Sequence, residues 1–340
     1  MELNEIKNIL IDRVKKYDMH DNINPIDIQL CEDEKQLLFL FFKDAYKTNK
    51  LIEDNVIYSD LLISLFGEET LNENNIYVSG KKSLYGSKQY IAMGNCEITV
   101  SNDSKMAAYE NANITLRQNA TLYAFGNTRF KACDNSRVIN GSETVRGTFH
   151  GNSQGIIDKC YKIIICYEHS SIKVSNSSNI KMHDYSHIHA IDNVHNIRLF
   201  EHSEATLCNN SFAECHDNSR VCANGNSIAK LYDDTYGNFN DNSIGYCCSA
   251  NEITCRDNSY VEIYKFVQVT NLYGNSLARI NEMGTKLRAY DNSVVQDFSD
   301  IYTEALDNAV IIWMNRHQIF KNQQKYSADV PFEYTEEQRC

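Results

Sequence analysis

His187 and His189 stand two residues apart, so in an extended chain their rings point to the same side. A carboxylate on a neighbouring strand, Glu214, would complete a three-ligand set for a metal ion. Phe212, Tyr236 and Tyr260 recur at intervals of 24 residues, with Glu214 and Glu262 two positions beyond the first and last ring. Stacked rings offer a flat apolar surface to a sugar or to a partner's Arg. Paired carboxylates are the equipment of a glycosidase, and two rungs of sheet would hold Glu214 and Glu262 about 9.6 Å apart, a separation that suits inverting hydrolysis. Asp233 and Asp234 form a second acidic pair. Among twelve cysteines, Cys215, Cys247 and Cys255 share one repeat phase, and none of the twelve lies in a CxxC motif. A nucleophilic thiol needs a neighbouring base, and the sequence supplies no obvious one. Plainer readings exist for each group: solvated positions for the histidines, core packing for the thiols, and a structural ladder for the rings. No metal-site spacing accompanies the histidines, so no metal or cofactor is assigned.

The elements that must position these side chains repeat. Asp/Gly-Asn-Ser/Ala recurs around Asn95, Asn111, Asn119, Asn127, Asn135 and Asn152, and again around Asn210, Asn218, Asn226, Asn242, Asn258, Asn275, Asn292 and Asn308. The spacing is eight, or a multiple of eight with an occasional insertion, and the register is least regular from 140 to 161. In Asp217–Asn224, Ser219, Val221 and Ala223 alternate with Arg220 and Cys222. That alternation marks a half-buried strand, and Asp/Gly-Asn is turn chemistry. One octad cannot bury its apolar side alone, but stacked octads can. Both prolines, Pro25 and Pro331, lie outside the repeat, as strand ladders require. The fold class read here is mainly β: a parallel β-solenoid over residues 79–313, clearest from Gly94 to Trp313. The 24-residue aromatic interval predicts three octads per coil, with His187, Phe212, Tyr236, Tyr260 and Lys286 in one outward column. A second column would hold His189, Glu214, Asn238, Glu262 and Arg288.

Residues 1–78 read as a small helical module or cap. Leu3, Ile6, Leu10, Val14 and Tyr17 follow helical spacing; a second helix is expected over about 33–50, and a third from Ser59 as N-cap to Gly67. Such a module would cover the open edge of the first rung, or serve oligomerisation or partner binding. Residues 314–340 read as a polar C-terminal tail or cap.

The DNS/GNS octads, for example Ala289-Tyr290-Asp291-Asn292-Ser293-Val294, resemble octapeptide-repeat β-solenoids of bacterial and phage proteins. The resemblance covers about two-thirds of the chain, implies the fold, and brings no activity with it.

The net charge is −12, which disfavours direct binding to nucleic acid or anionic membrane. The first residues lack the basic start and apolar run of a signal peptide, and free cysteines suit the cytoplasm. Calcium-roll, ice-binding and hexapeptide-acyltransferase repeats do not match the unit. The expectation is a non-enzymatic, cytoplasmic protein-binding or scaffolding solenoid whose long sides contact a partner, with Phe212, Tyr236, Tyr260, Glu214, Glu262, His187 and His189 as contact residues. Oligomerisation through the module or the solenoid ends stays open. Two other classes also stay open: a carbohydrate-binding or carbohydrate-cleaving β-helix, and an acidic inhibitor mimicking nucleic acid.

Overall fold

The computed structural model describes residues 1–281, 286–299, 303–315, 318–321 and 324–327. The chain is mainly β, a parallel β-solenoid of about 14 turns preceded by a small helical region. It divides into two compact units, Met1–Ile188 and His189–Cys340. Each unit is a two-sided roll of short strands in sheets A and B, with one octad of each coil in each sheet.

In the first unit, sheet A runs from Ile76–Tyr77 through Gln89–Ala92 and Lys105–Ala108 to Ser171–Ser175. Sheet B runs from Lys81–Leu84 through Glu97–Val100 to Ser178–Met182. The irregular stretch from 140 to 161 stays in register by lengthening the turns: Arg146 pairs with Arg129, 17 residues back.

In the second unit, sheet B stacks Phe212–Cys215, Ile228–Leu231, Ile244–Cys247, Tyr260–Ile263, Leu277–Ile280, Val294–Asp297 and Val310–Trp313. Sheet A stacks Glu204–Leu207, Arg220–Ala223, Tyr236–Phe239, Ala250–Cys255, Val267–Leu272, Lys286–Ala289 and Thr303–Ala305. Gln318–Lys321 and Gln324–Ser327 turn antiparallel and close that end of sheet B. Of the tail expected at 314–340, residues 316–317, 322–323 and 328–340 lie outside the described residues, as do Gly284 and Asp300.

This arrangement corrects the coil size. Tyr236 pairs with Arg220 and Glu252 in sheet A, whereas Phe212 and Tyr260 lie in sheet B. A coil holds two octads, about 16 residues, so an interval of 24 is one and a half coils and lands on the opposite sheet. Three octads per coil is therefore wrong. A two-sided roll suffices because inward side chains from both sheets fill one thin core: Phe239 of sheet A reaches Gly245 of sheet B, and Leu231 of sheet B reaches Gly237 of sheet A.

The turns explain the Asp/Gly preference. The residue before each turn Asn has a left-handed backbone, as at Asp134, Asp217, Gly225, Asp241, Gly274 and Asp291, a conformation that Gly, Asn and Asp tolerate. Asp adds a second interaction. The Gly225 N–H donates to Asp241 Oδ2 at 2.9 Å and the Gly274 N–H to Asp291 Oδ2 at 2.9 Å. In the first unit the Gln118 N–H donates to Asp134 Oδ2 at 2.9 Å. Much of the acidic surplus thus serves to tie one rung to the next. Turn asparagines also stack, Asn275 Nδ2 donating to Asn258 Oδ1 at 3.3 Å.

The helical region holds α1 (Leu3–Lys16), α2 (Pro25–Leu30), α3 (Glu34–Phe42), α4 (Ala45–Glu53), α5 (Ser59–Phe66) and α6 (Glu68–Glu73). Ile6, Leu10, Ile11 and Val14 of α1 are buried, as the spacing implies. The single helix expected over 33–50 is two, because the Asp44 carboxylate caps the N–H groups of Tyr46 and Lys47 and starts α4. Tyr58, not Ser59, is the N-cap of α5, and Gly67 follows its end. The helical core is continuous with Ile76, Val78, Ile91, Met93, Ala107, Tyr109 and Phe125 of the first rungs.

Candidate functional site

The residues singled out from sequence fall on different faces. Phe212, Glu214, Tyr260 and Glu262 point outward from sheet B of the second unit. Tyr236 and Asn238 point outward from sheet A, where the Arg220 guanidinium lies 5.0 Å from the Tyr236 ring centre. His187 and His189 are half-buried on a strand of sheet A, His187–Ala190. His189 and Glu214 therefore belong to opposite sheets, and the three-ligand set does not assemble. Neither proposed five-residue column exists: Lys286 and Arg288 also belong to sheet A. Glu214 and Glu262 share a column, but Lys230 and Tyr246 stand between them. Three rungs put their backbones about 14 Å apart, beyond the spacing of a carboxylate pair that flanks a glycosidic bond. Among the described residues, no group of three His, Cys, Asp or Glu is placed to hold a metal ion.

What the roll does bring together is an apolar column that the 24-residue reading missed. Two positions after each turn, the sheet B strands present Phe212, Ile228, Ile244, Tyr260, Leu277, Val294 and Val310 on consecutive rungs. All seven are half-buried. The equivalent positions of sheet A are Glu204, Arg220, Tyr236, Glu252, Val269 and Lys286, four charged residues with one ring and one valine among them. An octad-by-octad alternation of apolar and polar outward residues is the sequence signal for this face.

Beside the apolar column runs a second one: Arg198, Glu214, Lys230, Tyr246, Glu262, Arg279 and Gln296. Arg198 Nε lies 3.4 Å from Glu214 Oε2, and Arg279 Nε lies 3.7 Å from Glu262 Oε1. Asn281 Nδ2 donates to Glu262 Oε1 at 3.3 Å. Lys230 Nζ sits 5.5 Å from the centre of the Phe212 ring. Burial, then the nearby Glu262 carboxylate, raises the Tyr260 hydroxyl pKa above its ordinary value. The same causes push the Tyr264 hydroxyl up to about 12, so both phenols stay neutral and able to donate a hydrogen bond at physiological pH.

The corner after sheet B carries rings too. In the second unit Phe200 stacks on His216 at 5.3 Å and His216 on Tyr232 at 4.8 Å. In the first unit His150, Tyr167 and His183 stack at 5.0 and 5.2 Å. His183, one of the crowded histidines, thus belongs to an aromatic ladder. Burial lowers the His150 pKa.

The eleven described cysteines are free. Cys31, Cys96, Cys160, Cys166, Cys215, Cys247 and Cys255 are buried; Cys133, Cys208, Cys222 and Cys248 are half-buried. Burial pushes the Cys96 thiol up to about 11 and the Cys255 thiol up to about 12. Only the thiolate reacts quickly, so at pH 8 about one thiol in a thousand or fewer is reactive at those two positions. Native alkylation followed by intact-mass measurement should modify the half-buried four first. Modification of Cys215 or Cys255 at an equal rate would show that the roll opens freely.

Among the described residues no helix is long and apolar enough to cross a membrane. No family model, no curated protein and no solved structure matches the chain.

Proposed function

We propose that the chain is a non-enzymatic binding or scaffolding protein whose contact surface is the outward face of sheet B in the second unit. The apolar column from Phe212 to Val310 carries this reading. Outward positions on a solenoid sheet are free of core-packing demands, and the matching positions of sheet A are mostly polar. A continuous outward-facing, half-buried apolar strip beside a row of charges is characteristic of an interaction surface. Ladder stacking alone would stabilise either sheet and gives no reason for the difference. The sugar-binding alternative relied on rings on consecutive rungs, and Phe212, Tyr236 and Tyr260 are not so arranged. The mimicry alternative rested on the net charge of −12, and the Arg and Lys residues interspersed among the carboxylates of this face, Arg198, Lys230 and Arg279, weaken it. The free, largely buried thiols support a reducing, cytoplasmic setting.

The test is photo-cross-linking in cells with p-benzoylphenylalanine in place of Ile244, and in place of the exposed Asn238 of sheet A as a control. Covalent polypeptide adducts from position 244 and none from position 238 are expected. Equal yields from both positions, or none from position 244, would remove the contact-face reading.

A further inference from the structure

We infer that the partner of this face is a second copy of the same chain, packed face to face with its solenoid axis reversed. The inference rests on the contact-face reading and adds the identity of the occupant. The observation behind it is the order of charges in the column beside the apolar strip. From Glu214 the column runs negative, positive, neutral, negative, positive: Glu214, Lys230, Tyr246, Glu262, Arg279. About Tyr246 this order is antisymmetric, so reversing it changes the sign at every charged position.

A two-fold axis lying in the interface along the Ile244–Cys247 strand performs that reversal. It keeps the strand direction, flips the face and reverses the order of rungs. The apolar column then lies on its own copy, with Ile244 meeting Ile244 on the axis. In the second column Lys230 lies opposite Glu262 of the second copy, Glu214 opposite its Arg279, and Tyr246 opposite itself. The two charged contacts each occur twice by symmetry, and the self-contacts on the axis occur once. The existing intrachain pairs join into a network, because Glu214 already has Arg198 at 3.4 Å and Glu262 has Arg279 at 3.7 Å. Among the described residues Lys230 has no carboxylate within the 4.0 Å of an ion pair, and this packing brings it one.

The alternatives fail on the same residues. Moving the axis half a rung one way places Lys230 opposite Arg279; moving it half a rung the other way places Glu214 opposite Glu262 and Arg198 opposite Arg279. Like charges face each other in both cases, which strongly disfavours them. A two-fold axis along the solenoid and midway between the columns would lay the apolar column on the charged one, and one along the apolar column would set the charged column over the turn at the far end of the strands, leaving it unmatched. One register of one arrangement satisfies both columns. Seven rungs make a strip about 29 Å long, and two such strips bury on the order of 1,000 Å² in total, the lower end of specific interfaces. Interfaces of that size are typically weak and reversible, so the test spans a wide concentration range.

Sedimentation velocity of the full chain from about 1 µM to about 200 µM tests this. Wild-type protein is expected to pass from monomer to dimer across that range. Lys230→Glu and Glu262→Lys should each weaken self-association at least about tenfold, since each places two like-charged pairs in the dimer. Mixed in equal amounts, the two variants should dimerise to within about threefold of wild type. In the mixture the new carboxylate at position 230 faces the new ammonium at position 262, and the native Lys230 and Glu262 of the two chains face each other. Both substitutions are on the outward face, and recovery in the mixture itself requires folded protein. A wild type that stays monomeric throughout, or variants that stay monomeric when mixed, overturns the inference. If the wild type is monomeric while position 244 still cross-links to other polypeptides, self-association falls and the contact face stands. If neither signal appears, both fall.

Discussion

Phe239→Ala is expected to lower stability by about 3–5 kcal/mol, and Gly245→Val in the same chain is expected to return a substantial part of that loss. Phe239 is fully buried in the thin core of the second unit. Its ring lies against two glycines, Gly237 on its own strand and Gly245 on the facing sheet. A Cβ added at Gly245 would stand 2.5 Å from Phe239 Cζ, and one added at Gly237 would stand 2.8 Å from Cε2. Neighbouring glycines have no side chain that could relax into the space left by the ring, which puts the cavity cost at the upper end of its range. For the same reason Gly245→Val alone overpacks the site and should cost about 1–3 kcal/mol. In the double variant the new methyl groups occupy space the ring vacated, so the two losses should not add. Denaturation of the four proteins, with hydrogen exchange read over residues 228–263, measures the coupling. Strict additivity would mean that ring and glycine do not share one packing site. Phe149 and Gly155 form a matching arrangement in the first unit, the added Cβ standing 2.5 Å from Phe149 Cζ.

The sequence exposes some levels of this architecture and conceals others, for physical reasons. Strand and turn are legible because each octad carries its own signals: alternation at Ser219, Val221 and Ala223, and a left-handed turn at Asp217. Parallel stacking follows because no octad closes a core alone. The number of octads per coil is not local. It depends on which octads face each other, and an eight-residue period is compatible with rolls and prisms alike. The informative pattern was the class of outward residue, octad by octad: Glu204, Phe212, Arg220, Ile228, Tyr236, Ile244, Glu252, Tyr260. Read as apolar against polar, the series alternates with a period of 16 except at Tyr236 and, one octad further, at Val269. Read for aromatic rings alone, the series yields the misleading interval of 24. The same error moved Glu262 one rung too close to Glu214 and put His189 on the wrong face. In the helical region α1 is legible from its period, whereas the break between α3 and α4 depends on one capping Asp44 inside an otherwise helical stretch.

Outward columns need no core complementarity, so their composition reflects what the surface meets. Sheet B illustrates this within one strand. Ala229 and Leu231 face the core; Ile228 and Lys230 face outward. The inward pair is set by the thickness of the roll. The outward pair could be any two polar residues without loss of fold, yet Ile228 continues an apolar column and Lys230 alternates in charge with its neighbours in the adjoining column. That independence is why the contact face can be tested by surface substitutions that leave the roll intact.

Leu10→Asp is expected to turn soluble protein into aggregate, while Leu10→Met leaves it soluble. Leu10 is fully buried in the core shared by the helices and the first rungs of the roll. An Asp there is a desolvated charge with no cation built to meet it, which typically costs more than about 4 kcal/mol; Met conserves volume and should cost less than about 1.5 kcal/mol. Losing the helices would do more than remove a module. The Tyr109 hydroxyl donates to the Ala45 carbonyl at 3.1 Å, Tyr46 meets the Phe125 ring edge-on at 5.3 Å, and the Ser59 N–H donates to Glu110 Oε1 at 3.0 Å. Without these contacts Ile91, Met93, Tyr109 and Phe125 face water, and the Ile76–Tyr77 end of sheet A becomes an open edge that can template pairing with another chain. Soluble yield, light scattering and limited proteolysis of the two variants measure the difference. Should Leu10→Asp stay soluble, lose its helices to protease and keep the melting temperature of the remaining roll, the helices are an appendage and the roll closes its own first rung.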